Sequence, residues 1–523
     1  MMRFGEKALT RGSDELEVIT LEGSRLDYLL WEQNHDNFVM PGYSEITQDQ
    51  LDEIPFDLVD ELSVSRNEDY EIIICCKRHI DPLNMKKSGT KTTEKELIPG
   101  TEIIPGTISL CYPNDFSVVF GHCYYEGCIS RIHETEYKLI CSYVEGKSCS
   151  KKAAVVKEWI INGSKSGLYF LGENVREYQE ETSVWGKYGD MEFPVKRQRA
   201  GAECPGRYIH VRYLDTAFDI EYLGDSHGPK WSTSLCITYF EKYGRIPSRE
   251  ERDLIRDYLS FFIGRKLIYT GETLYDECGK DIGFVMEQPY TYGFGAKMFC
   301  NNGSLTPINS KYEGLKSYFE IVQKFIDPFA QIYTKLDLRS LFYAYWYAKQ
   351  IVRPLDLPIM AGALEHLETK WYEVVDENPD KVLMDKKDFS KRIKPLTEII
   401  NECFEGSGFA DRMQRSVESM NRMTINEQMY FFFEKLGLRL GKKEKKALQA
   451  RSLAVHGSFR EKKDQDIYGL SRVYECLTNR VVLALIGYKG KYIDIGTIGY
   501  PEKDINDPCG DNIMEEESET KPE

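Results

Sequence analysis

The hydrophobic period changes once along this chain of 523 residues, near residue 305, and that change constrains the fold more than any other feature. Before it, alternating or β-branched runs stand between Gly, Pro, Asn and Asp punctuation: YEIIICC (70–76), TISLCY (107–112), FSVVFGH (116–122), EYKLICSYV (136–144), GLYFLG (167–172) and YIHVRYL (208–214). They predict a β-rich domain over residues 1–305, arranged as a sandwich or barrel-like sheet. Within it, Pro247 and Ser248 followed by Glu251 have the spacing of a capping box. That box starts one helix through RDLIRDYLSFFIG before the chain returns to a strand at KLIYTG.

After the change, apolar residues recur at three and four spacing, the signature of amphipathic helices. Ser310, with Glu313 three residues on, starts GLKSYFEIVQKFIDPFAQIY, and RSLFYAYWYAKQIV and PIMAGALEHLETKWYEVV follow. Residues 376–388 read as a polar loop, Ser390 as the start of a helix through KRIKPLTEIINECF, and Thr424 with Glu427 as the cap of MYFFFEKLGLRL. KKEKKALQARSLAVHG and IYGLSRVYECLTNRVVLALIGY complete an all-α domain over residues 306–498. Residues 499–523 end in MEEESETKPE and predict an acidic, disordered tail. The expected fold class is therefore α+β and multidomain, with a β-rich half followed by a helical bundle.

Composition narrows the function classes. The 14 cysteines include no CxxC pair, which removes the strongest zinc and redox signatures. His122, Cys123, Cys128, Cys141 and Cys149 cluster in sequence, but buried thiols in strands are the simpler reading. The cysteines read as reduced, which points to the cytoplasm. The N-terminus lacks the apolar core of a signal peptide, and the best apolar run, VVLALIGY at 481–488, is about two helical turns long. The expectation is a protein with no membrane span, no metal and no other cofactor.

Against a net charge of −16, the segment 435–463 is inverted: ten basic residues stand there against Glu444 and Glu461, a local balance of 10 − 2 = +8. Such a patch can receive a polyanion although the chain as a whole repels one. Within it lies RSLAVHG, in which Arg451 and His456 are five residues apart. Imidazole exchanges protons near neutral pH and a guanidinium holds phosphate charge, so the pair fits metal-free chemistry on RNA. Two plainer readings stand beside it. A lysine run is commonly a solvated helix face, and His456, next to Gly457, has the position of a helix C-terminal cap. Residues five apart on a helix also point about 140° away from each other. One copy makes a poor site, whereas two copies about a twofold axis bring two arginines and two histidines into one cleft.

The final 190 or so residues resemble the ApeA-like branch of HEPN domains, on RSLAVHG together with YAYWYAKQ (343–350), LPIMAGALEHLE (357–368) and RVVLALIGYKGKYID (480–494). ELIPGTISLCYPND and FFIGRKLIYTGE are similar, more weakly, to the β-rich domain that accompanies this branch. The resemblance implies a metal-independent endoribonuclease that acts as a homodimer in abortive anti-phage defence, with the N-terminal domain gating it in response to a phage-derived trigger. It implies Arg451 and His456 as catalytic residues, with RNA, tRNA included, as substrate. Ser452 and Glu365 are supporting candidates, and Lys442, Lys443, Lys445 and Lys446 candidate contacts to flanking phosphates. Ser452 departs from the family pattern, in which an amide, acid or imidazole usually follows the arginine. A catalytically silent HEPN module for dimerisation or nucleotide binding is the alternative, and a sugar- or protein-binding β-domain on a helical scaffold is the third reading.

Overall fold

The computed structural model describes residues 61–66, 70–79, 99–100, 107–112, 116–131, 134–163, 180–188, 191–199, 208–222, 234–288, 305–308, 314–375, 381–405, 407–455 and 467–510, with three two-residue pieces before them. The class is α+β, strands first and helices after, as the change of period predicts. The chain divides into two compact units, Met1–Leu305 with Glu313–Gln323, and Thr306–Tyr312 with Lys324–Glu523. Among the described residues no helix is long and apolar enough to cross a membrane.

Among the described residues of the first unit, twelve strands join one branched antiparallel sheet. They are β1 (Phe38–Val39), β2 (Glu61–Arg66), β3 (Ile72–His79), β4 (Thr107–Tyr112), β5 (Phe116–Arg131), β6 (Glu134–Ser148), β7 (Val155–Ile161), β8 (Tyr208–Tyr213), β9 (Thr216–Tyr222), β10 (Ser234–Phe240), β11 (Ile268–Tyr275) and β12 (Asp281–Glu287). The order runs β8-β9-β10-β7-β11-β12-β6-β3-β2-β1, with β5 between β4 and β6. The fork is at β6. One of its edges pairs with β5 throughout, while the other is shared between β12, opposite Tyr143–Lys147, and β3, opposite Glu134–Cys141. The sheet therefore branches where a sandwich or barrel was expected. Runs 70–76, 107–112, 116–122, 136–144 and 208–214 all fall on strands, and GLYFLG (167–172) lies outside the described residues.

Central strand β7, VVKEWII, is buried at every position, as a strand covered on both faces must be. Helix α1 (Arg249–Ile263) covers one of those faces. Its capping box is the one the sequence predicts: Ser248 accepts from Glu251 N–H, Glu251 reaches back to Ser248 N–H, and Gly264 closes the helix in the left-handed conformation.

The helical unit contains α2 (Gly314–Tyr333), which begins in the first unit, then α3 (Leu338–Ala348), α4 (Leu357–Val375), α5 (Lys386–Cys403), α6 (Phe409–Ser419), α7 (Ile425–Lys435), α8 (Lys442–Val455) and α9 (Ile467–Leu485). Helix α4 is the hub, packing against α3, α7, α8 and α9. Thr424 and Glu427 form the predicted capping box of α7, whereas the Ser310 start lies outside the described residues. Two boundaries differ from expectation. Helix α5 begins at Lys386 because Asp385 caps it, accepting from Lys387 N–H at 2.8 Å and Asp388 N–H at 3.2 Å. Residues 501–510, assigned by composition to the tail, instead carry β14 (Glu502–Asp504), which pairs with β13 (Lys491–Ile493), and end with Cys509 fully buried.

Candidate nucleic-acid interface

Helix α8 has two sides with opposite chemistry. Glu444, Ala447, Leu448 and Ala450 are buried, while Lys442, Lys445 and Lys446 are exposed. An acid one turn into a basic helix is the unexpected member of the buried side. Glu444 Oε1 pairs with the guanidinium of Arg480 on α9, and both side chains are wholly buried. Its oxygens also accept from Gly441 N–H at 2.9 Å and Cys509 N–H at 3.1 Å. Arg480 in turn donates to Ile505 O at 2.8 Å and Arg439 O at 3.3 Å. Burial works against the Arg480 charge, but Glu444 and the neighbouring Tyr492 and Cys509 more than offset it. One ion pair thus fixes α8, α9 and the C-terminal segment together, because a buried charge must find its partners internally.

The exposed side presents the predicted lysines. Lys445 Nζ also lies 5.9 Å from the Tyr430 ring centroid, and Lys443 is half-buried with its stem against Gly510. Arg451 and Ser452 lie in the C-terminal part of α8, with side chains outside the described residues, as is the whole of His456. Glu365 is half-buried on α4. Its neighbour His366, read as structural, places Nε2 2.8 Å from Oδ2 of Asp337, the residue that caps α3.

A polar seam that the sequence reading missed crosses the bundle. Ser471, Glu475 and Asn479 follow one another at four spacing along α9. Asn479 accepts from the Tyr345 hydroxyl at 2.9 Å, and Glu475 pairs with Lys349 at 2.9 Å and Arg353 at 2.7 Å. The Ser471 hydroxyl donates to Asp356, whose second oxygen Oδ1 is buried without a hydrogen-bond partner among the described residues. Burial raises the Asp356 carboxyl above its usual range despite that hydrogen bond and the nearby Arg353. Two acids face two cations, so the seam is neutral and suits positioning of helices better than capture of an anion. The four-residue spacing of polar residues inside an apolar helix is the sequence signal that marks it.

Cys476, Asp494 and Cys509 place ligand-type atoms within 4.8 Å of one another. Asp494 is already committed, however. Its Oδ2 pairs with Lys503 Nζ at 2.8 Å and accepts from Thr497 Oγ1 at 2.7 Å and Gly510 N–H at 2.9 Å, while Oδ1 accepts from Gly496 N–H at 2.9 Å. The Lys503 ammonium supplies the positive charge that a cation would bring, so this donor set fits a structural knot. In the sequence cluster at 122–149, Cys123 and Cys141 oppose each other in the β5–β6 ladder and are buried, whereas Cys128 and Cys149 are exposed. Burial and the adjacent Cys123 thiol push Cys141 well up, which keeps it protonated and unreactive. No protein-family description, curated protein or solved structure matches the chain.

Proposed function

We propose that the helical unit is a metal-independent endoribonuclease of the HEPN type, acting as an abortive-infection effector against phage. One observation supports this reading most: a helix pinned on one side by Glu444–Arg480 presents Lys442, Lys445 and Lys446 to solvent on the other and continues into Arg451. A fixed basic surface of this kind suits phosphate contacts that position an RNA strand without reading its bases.

The chemistry follows from the substrate. The RNA 2′-oxygen attacks the adjacent phosphorus in line, the bond to the 5′-oxygen breaks, and a 2′,3′-cyclic phosphate and a 5′-hydroxyl remain. His456 takes the 2′-OH proton or delivers a proton to the leaving 5′-oxygen, with His456 of a second copy supplying the other step. Arg451 stabilises the charge on the phosphorane oxygens, and Ser452 and Glu365 support it. DNA lacks the attacking hydroxyl and resists. The β-rich unit then serves as the gate that a phage-derived trigger releases.

The test is incubation of wild type and His456→Ala with total cellular RNA in EDTA, reading fragment end groups. Cleavage by wild type alone, leaving cyclic phosphate ends, is the expected result. Equal cleavage by both proteins, or cleavage that requires a divalent ion, sinks the reading. A silent interaction module is the second reading, favoured by the exposed apolar side chains of Leu396 and Ile399 on α5 and Phe409 and Met413 on α6, and it predicts that His456→Ala leaves function intact.

A further inference from the structure

Strand β8 ends the sheet: β9 pairs with one of its edges, and among the described residues no strand pairs with the other. In an antiparallel ladder, alternate residues turn their N–H and C=O toward the partner strand, and the residues between turn theirs away. Arg212 is of the second kind. Its N–H donates to Oε1 of Gln323 at 2.8 Å, and its C=O accepts from Nε2 of the same side chain at 2.8 Å. Gln323 lies on α2, in the part of that helix that belongs to the first unit. Its carboxamide therefore gives Arg212 the two bonds that the facing residue of an antiparallel strand would give.

An open strand edge is a template for another chain, and proteins block it with charges, prolines, bulges or covering elements. Here the block is a side chain that imitates a peptide, so a peptide can replace it like for like. The register says what that peptide looks like. On one face of β8, Val211 continues a buried apolar row through Phe218 of β9 and Tyr239 of β10. Arg212 points to the other face and is exposed, with His210 half-buried beside it on the same strand. Residues directly opposite each other in a ladder place their side chains on the same face. An added strand thus sets an apolar residue beside Val211 and an acid beside Arg212.

We infer that the outer edge of β8 is a docking site for an extended segment of a partner protein, which adds as an antiparallel strand and displaces the Gln323 carboxamide. The segment carries acidic and apolar residues in alternation. Main-chain bonds to the edge supply affinity, while the Arg212 charge and the apolar row select the sequence, as in other cases of strand addition. Gln323 guards the edge against strands that bind less well than it does. The inference rests on the sheet edge, not on the ribonuclease reading, and its test is independent of RNA cleavage.

Fluorescence anisotropy of a labelled short peptide of alternating glutamate and valine, titrated with the full-length chain, tests it, with far-UV circular dichroism as the control for folding. Gln323→Ala should bind the peptide about tenfold more tightly than wild type, because the two bonds to Arg212 no longer have to be broken first. Adding Arg212→Pro should abolish that binding while the strand stays in place, since proline is tolerated on an edge whose N–H faces outward. Methylating the glutamate nitrogens of the peptide, which face β8 in this register, should also abolish binding, whereas methylating the valine nitrogens should not. Equal affinity of wild type and Gln323→Ala, or no binding by either, overturns the inference, as does indifference to glutamate methylation. A Gln323→Ala chain that ignores the peptide and self-associates in sedimentation overturns it too, because the edge then receives a second copy.

Discussion

Glu158 on β7 and Glu272 on β11 stand directly opposite each other across adjacent strands, and a single guanidinium, that of Arg252 on α1, bonds both. The distances are 2.8 Å from Nε to Glu158 and 2.7 Å from Nη2 to Glu272. Arg256, one turn on, adds a second cation to Glu158. Like charges directly opposite in a ladder destabilise a sheet, so the arginines of α1 are what allow this pair to be buried.

Removing Arg252 should therefore cost more than an ordinary surface change. Arg252→Met leaves two buried carboxylates short of their shared partner and should lower stability by roughly 3–5 kcal/mol in urea denaturation. Adding Glu272→Gln should recover part of that loss by removing one of the stranded charges. A single variant as stable as wild type excludes this account.

The two carboxylates respond to pH in opposite directions. Burial pushes the Glu158 carboxyl up, but the Arg256 and Arg252 charges outweigh it and hold it below the usual 4.5. Its stabilising contribution is present above 4.5 and is lost as pH falls through the lower folded value. For Glu272 burial prevails over Arg252, and the carboxyl rises above 4.5. Its contribution is full below 4.5 and is lost as pH climbs through the raised folded value. Glu272→Gln should abolish the decline on the alkaline side while keeping the decline on the acid side, measured by denaturation midpoints across a pH series.

Glu444→Ala should strand the Arg480 charge in the helical unit. A loss of roughly 3–5 kcal/mol is expected, and amide exchange should accelerate in α8 and near Cys509, the segments the carboxylate joins. Unchanged protection at both places contradicts the anchoring role.

Replacing Lys442, Lys445 and Lys446 with Gln should weaken RNA binding uniformly across sequences. For a single strand, the slope of log affinity against log salt should become shallower by about 0.7 for each phosphate that is no longer neutralised. If the slope stays as in wild type, the lysines are only a solvated face.

Local features were readable from the chain because their causes are local. Ser248 with Glu251 and Thr424 with Glu427 lie three residues apart, and each pair forms its capping box. Competition misplaced the start of α5, where both Asp385 and Ser390 can cap a helix and Asp385 does. Helix α6 went unread because its apolar stripe is short and buries only Val417. The Glu158, Glu272 and Arg252 cluster depends on strand register across more than a hundred residues, which no local pattern reports. Of the predicted site, the exposed lysines and the helix carrying Arg451 are in view, while His456 lies outside the described residues.

The fork at β6 also bears on synthesis. Its second edge is completed by β3, made earlier, and by β12, whose last residue, Glu287, comes 139 residues after Ser148 ends β6. On the ribosome, the Tyr143–Lys147 edge therefore waits for a segment not yet translated. At roughly 5–20 residues per second that wait lasts about 7–28 s, during which the Tyr143–Lys147 edge is open to wrong partners. The first unit closes only late in its own translation, and the interval is the natural point for a chaperone to act.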